Sequence, residues 1–104
     1  MAAKVLTKDT FQGQIQSGVT LVDFWAEWCG PCRVQLPIIE KLATELDGQA
    51  TVAKVNVDEH GDLAAQFGIT GIPALLIFKD GELVDRFVGL QDEGTLKKAV
   101  LAHV

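Results

Sequence analysis

Cysteine is scarce in this 104-residue chain: there are two, Cys29 and Cys32, and only two residues separate them. A disulfide across so short a loop removes little entropy from the unfolded chain, so the pair cannot serve as a structural staple. Redox or metal chemistry remains. A structural zinc site needs four ligands, and the only histidines, His60 and His103, lie on different segments without pair spacing. Each reads as solvent-facing. Long apolar runs are also missing. The longest, from Ile72 to Phe78, is strand-sized and interrupted by Pro73, far short of the roughly 18–20 residues of a membrane span. The first seven residues carry no apolar stretch of the kind that marks a secretory leader, which points to the cytoplasm.

Positive charge is sparse too. Nine Lys and Arg stand against fourteen Asp and Glu, for a net charge of −5, and the basic residues form no patch. Nucleic acid and anionic membrane are therefore poor partners. Tyrosine is absent, and neither a Gly-x-Gly-x-x-Gly turn nor a phosphate-loop lysine is present, so no cofactor site is visible. Nothing resembles a repeat or a linker. With 48% hydrophobic residues, the whole chain, 1–104, reads as one domain around one core.

What is present alternates between strand and helix patterns. A strand is expected over 4–6, then a helix over 8–16 capped by Thr7. The run Thr20-Leu21-Val22-Asp23-Phe24-Trp25 is apolar on both faces except at Asp23, which predicts a central strand covered on each side. Leu36, Ile39, Leu42, Ala43 and Leu46 recur at helical spacing, predicting a helix over 31–46 in which Pro37 removes a backbone bond and makes a kink. A strand over 51–57 and a short helix over 62–67 follow. Strands over 74–78 and 83–88 are joined through Asp80-Gly81, a strong hairpin signal. A last helix opens at Gln91-Asp92, with Leu96, Ala99, Val100 and Val104 on its buried side. The result is an α/β chain with one mixed sheet and helices on both faces.

Cys29 falls just after the central strand and just before the long helix. The first turn of a helix presents unpaired N–H groups and the positive end of the macrodipole, which stabilise a thiolate. Pro31 suits that turn because its missing N–H would have been unpaired anyway. Gly30 leaves room beside Cys29 for another protein's disulfide. Cys32 lies about one turn on and is more sheltered. Cys29 is thus the expected nucleophile and Cys32 the resolving thiol.

Asp23 is the second candidate. It shares a strand face with Leu21 and Trp25, beneath the start of the long helix. Burial would raise its pKa towards neutrality and fit it to act as a base for Cys32. A structural carboxylate paired with Lys54 in the adjacent strand is equally consistent with its position. Pro73, at the head of an apolar strand, belongs at a turn or special bond, and an ordinary trans turn is the simplest reading of Gly71-Ile72-Pro73. Trp25 is expected in the core and Trp28 partly exposed beside the thiol.

The segment from Val22 through Trp28-Cys29-Gly30-Pro31-Cys32 resembles the thioredoxin family. Pro37, the run Val52-Ala53-Lys54-Val55-Asn56-Val57-Asp58, Gly71-Ile72-Pro73, Phe78-Lys79-Asp80-Gly81 and Gly89 extend the likeness over essentially the full length. The resemblance implies the thioredoxin fold, a five-stranded mixed β-sheet flanked by four α-helices. It implies a cofactor-free, monomeric protein-disulfide reductase that serves disulfide-containing clients and is recharged by an NADPH-dependent thioredoxin reductase. It further implies that Pro73 is cis and faces the cysteines, and that Asp23 and Lys54 form a buried proton-handling pair. Trp28, Gly30, Pro31, Gly71, Ile72, Pro73 and Gly89 would form the client surface. The combination of Gly30-Pro31 with Ile72 is reductase-like rather than oxidase-like. Arg33, Ala74 and the stretch Val34-Gln35-Leu36 depart from the common pattern. A binding subunit using the same surface without turnover is the competing function, and its signature would be a damaged cysteine motif.

Overall fold

The computed structural model describes residues 2–104. Strand β1 (Lys4–Val5) is followed by α1 (Phe11–Ile15), β2 (Val19–Trp25), α2 (Gly30–Glu45) and β3 (Thr51–Asn56). Then come α3 (Gly61–Gln66), β4 (Ala74–Lys79), β5 (Glu82–Val88) and α4 (Glu93–Leu101). The five strands form one sheet in the order β1-β3-β2-β4-β5. Strand β3 runs parallel to both β1 and β2, whereas β4 is antiparallel to β2 and β5. The parallel pairs need helical crossovers and the antiparallel pair β4–β5 needs only a turn. That turn places Asp80 and Gly81 at φ 49° and 90°, the positive values a tight two-residue hairpin requires.

The expectation of a central, doubly covered strand holds for β2, whose residues Val19 to Phe24 are all buried. On one face Leu21, Val52, Leu75 and Ile77 pack against Ile39, Leu42 and Ala43 of α2 and Leu96 and Val100 of α4. On the other, Val22, Phe24, Ala53, Val55, Leu76 and Phe78 meet Phe11, Ile15 and Leu63. Phe11 is 1% exposed and meets Phe78 edge-on at 5.6 Å between ring centroids. Truncating it to Ala would cost about 3–5 kcal/mol, because so large a void cannot close in a packed core.

Several boundaries differ from the sequence reading. Helix α1 begins at Phe11, because Thr7 to Thr10 close a separate turn in which the Thr10 and Phe11 N–H groups donate to the Thr7 carbonyl. Helix α2 runs unbroken through Pro37, which lies on its exposed side. Its fully buried positions include Gln35, with Leu36 only half-buried. Val104 lies beyond the end of α4 and is exposed, not buried. Trp25 is half-buried, and so are His60 and His103, which were expected in solvent.

Candidate active site

Strand β2 ends at Trp25, and the chain reaches α2 through a turn in which the Cys29 N–H donates to the Ala26 carbonyl at 3.2 Å. Cys29 is the N-cap of α2, with extended backbone, and its sulfur accepts the Cys32 N–H at 3.2 Å. A sulfur in this position receives a helix-terminal N–H directly, the arrangement that favours its anionic form. Cys29 and Cys32 are joined by a disulfide. Ala26, Trp25, Val57 and Ile72 pack around the pair. That packing leaves Cys29 only 4% exposed, less open than expected, while Cys32 is 0% exposed. Gly30 and Pro31, by contrast, are exposed, so the approach to the sulfurs lies over them.

Asp23 is 0% exposed and on the α2 side of β2. Both of its carboxylate oxygens lack a hydrogen-bond partner among the described residues. Burial pushes its pKa up to about 7, against a smaller downward pull from the Lys54 charge. Lys54 is Asp23's direct neighbour in the parallel register. Its ammonium, however, is bonded to Glu40 Oε2 at 3.0 Å. Glu40 also accepts the Ala3 N–H at 2.8 Å. Burial opposes ionisation of Glu40, but the Ala3 N–H and Lys54 outweigh it and hold its carboxyl below the usual range. The lysine is thus only partly buried and does not bond Asp23.

The loop opposite the disulfide contains a cis Ile72–Pro73 bond, in place of the trans turn that the local sequence favours. Cys29 Sγ lies 3.7 Å from the Ile72 carbonyl oxygen. The Pro73 carbonyl accepts the Gly89 N–H at 2.8 Å, and Gly89 adopts φ 92°, open to glycine at little cost. Gly71 brings this loop close to β5: a Cβ there would stand 3.3 Å from Val88 Cγ1. Trp28 is 67% exposed, with its indole N–H donating to Asp58 Oδ2 at 3.0 Å.

Three contributors escaped the sequence reading. Asp58 anchors the indole of Trp28. Glu40 takes the ammonium of Lys54. Gln35, buried in α2, bonds the backbone of Gln91. Gln35 left a trace as part of an unusual stretch after the second cysteine, and Asp58 as the end of the run 52–58 that carries the family likeness; Glu40 left none. Among the described residues no group of three or more His, Cys, Asp or Glu is arranged to hold a metal ion, and no helix is long and apolar enough to cross a membrane.

A disulfide capping a helix at the end of a central strand, beside a cis-proline loop, defines a thiol–disulfide oxidoreductase. The Thioredoxin family model matches residues 2–102. A thioredoxin of Staphylococcus saprophyticus is 47% identical over 104 residues, covering 100% of both chains. A thioredoxin of Staphylococcus aureus is 42% identical over the same full span. Among solved structures, a mutant thioredoxin from Halobacterium salinarum NRC-1 superposes with a TM-score of 0.91 at 38% identity, over 98% of this chain and 90% of that one. The chain belongs to the thioredoxin family and has the thioredoxin fold. Its reaction is dithiol–disulfide exchange at Cys29 and Cys32, and it acts as a disulfide reductase.

Proposed function

We propose that Cys29 is the nucleophile and Cys32 the resolving thiol in the reduction of client protein disulfides. In the dithiol form, the Cys29 thiolate attacks one sulfur of a client disulfide, and the other client sulfur leaves as a thiolate. A mixed disulfide joins Cys29 to the client. Cys32 then loses its proton to the Asp23 carboxylate and attacks Cys29 Sγ, releasing the client's second sulfur. Two electrons have passed to the client, and the Cys29–Cys32 disulfide has formed. Sulfur itself carries them, so no further cofactor enters the scheme.

The observation that carries this assignment is the 3.2 Å donation from the Cys32 N–H to Cys29 Sγ. It singles out Cys29 as the sulfur whose negative charge the helix start stabilises. Asp23 suits a proton-transfer role because its pKa of about 7 lets both forms exist near neutrality. Lys54 contributes electrostatically, as the nearest positive side chain in the Asp23 register. Clients would lie along Trp28, Gly30, Pro31, Gly71, Ile72, Pro73 and Gly89, with an extended segment beside Pro73.

Residues 1–104 act in this scheme as a single monomeric domain. Recharging falls to a thioredoxin reductase, and a dithiol kept reduced in this way belongs in a reducing compartment, the cytoplasm. The test is reduction of insulin disulfides by the purified dithiol protein. Turnover is expected for the parent and none for a Cys29→Ser, Cys32→Ser double variant. Equal turnover by that variant would contradict the assignment.

A further inference from the structure

Gln35 is 0% exposed, although a buried amide costs free energy unless its polar atoms are bonded. Both of its polar atoms are satisfied by a single residue 56 positions away. Nε2 donates to the Gln91 carbonyl at 3.0 Å, and Oε1 accepts the Gln91 N–H at 2.8 Å. An apolar side chain could fill the same space without desolvating an amide. What the amide adds is a fixed distance and register between α2 and the segment joining β5 to α4.

The bonding continues beyond the clamp. Gln91 Nε2 donates to the Gly89 carbonyl at 3.3 Å, and the Gly89 N–H donates to the Pro73 carbonyl at 2.8 Å. The neighbouring Ile72 carbonyl stands 3.7 Å from Cys29 Sγ. Gln35 itself lies three residues after Cys32 on the same helix. The network therefore starts on the helix that carries Cys32 and returns to the loop facing Cys29. Val88 and Leu90, 62% and 47% exposed, flank Gly89 on this tied segment.

We propose that Gln35 is a positioning residue for client recognition. Its two-point clamp holds the Gly89–Leu90–Gln91 backbone against α2, so that the apolar ledge of Val88 and Leu90 is preformed beside the cysteine pair. A preformed ledge spares a client the cost of ordering it. This rests on the reading that Gly89 belongs to the client surface. The clamp acts on affinity for protein disulfides and leaves the sulfur chemistry alone.

Gln35→Met keeps length and helix propensity while removing both bonds. With insulin as the protein disulfide, the KM of Q35M is expected to rise roughly three- to tenfold with kcat held within about twofold. Its rate with a small aromatic disulfide, and its potential against glutathione, are expected to match the parent. A folded Q35M with unchanged KM, or with an equal loss on the small disulfide, overturns the proposal. Should Q35M not fold, Gln35→Leu, a second apolar side chain that makes neither bond to the Gln91 backbone, takes its place. A KM rise of about three- to tenfold is again expected, and an unchanged KM overturns the proposal. Trp28→Ala separates the two layers. If it raises KM and Q35M does not, the clamp is wrong and the client surface stands; if neither raises KM, the surface reading itself fails.

Discussion

Lys54 stands opposite Asp23 in the β2–β3 register, yet its ammonium is bonded to Glu40. Asp23 is left with no hydrogen bond to either oxygen, and burial holds its pKa near 7. Lys54, engaged by Glu40, pulls the Asp23 pKa down by less than burial raises it. Glu40 keeps that lysine from neutralising the Asp23 charge more fully.

Replacing Glu40 by Gln removes the charge that holds Lys54. Its ammonium is then drawn towards Asp23, whose carboxylate gains a stronger cationic partner, and the Asp23 pKa falls below about 7. Titration of the Asp23 carboxyl by carbon NMR in the parent and in E40Q measures this directly. An unmoved midpoint would show that Glu40 has no hold on the lysine.

Asp23→Asn separates stability from activity. The folded-state pKa is raised from 3.8 to about 7. Between those values the folded protein keeps a proton that the unfolded chain releases, so rising pH destabilises the parent across that window. D23N has no such proton. Its advantage should be small near pH 4, grow through pH 7 and level off above it, reaching on the order of 4 kcal/mol as an upper bound. Urea unfolding at pH 4 and pH 8 tests the trend, and a pH-independent difference would contradict it. The same variant should resolve mixed disulfides about tenfold or more slowly near pH 7, as expected on losing a positioned base.

The indole of Trp28 is held by Asp58 across the mouth of the site. Because both groups are exposed, Asp58→Ala should change stability by less than about 1 kcal/mol. Freed from its anchor, Trp28 should raise the KM for insulin about two- to fivefold while leaving kcat near the parent value. Steady-state kinetics decide it, and an unchanged KM would reduce the bond to surface decoration.

The sequence and structure agree most closely where local pattern and packing coincide. The run of β2 that is apolar on both faces, the helical spacing in α2 and the Asp80-Gly81 turn each indicate a single outcome, and each is found. The cysteine spacing and its place between strand and helix were enough to indicate the chemistry. The failures lie where distant segments decide. Thr7 looks like a helix cap but closes its own turn with Thr10. Local sequence favours a trans bond at Ile72–Pro73, and only family likeness implied cis. Lys54 was matched to Asp23 by strand adjacency, but Glu40 reaches the ammonium from α2, a contact no spacing encodes. Gln35 stood out only within a stretch that departs from the family pattern, and its burial rests on two bonds to the backbone of Gln91, 56 positions away.

The division of labour between the two cysteines is tested most directly by trapping the intermediate. A Cys32→Ser protein, mixed with a disulfide client, cannot resolve the first adduct. Intact-mass spectrometry should therefore show a stable one-to-one mixed disulfide through Cys29, while Cys29→Ser under the same conditions should give essentially none. Equal trapping by both variants, or trapping only through Cys32, would contradict the assignment of Cys29 as nucleophile.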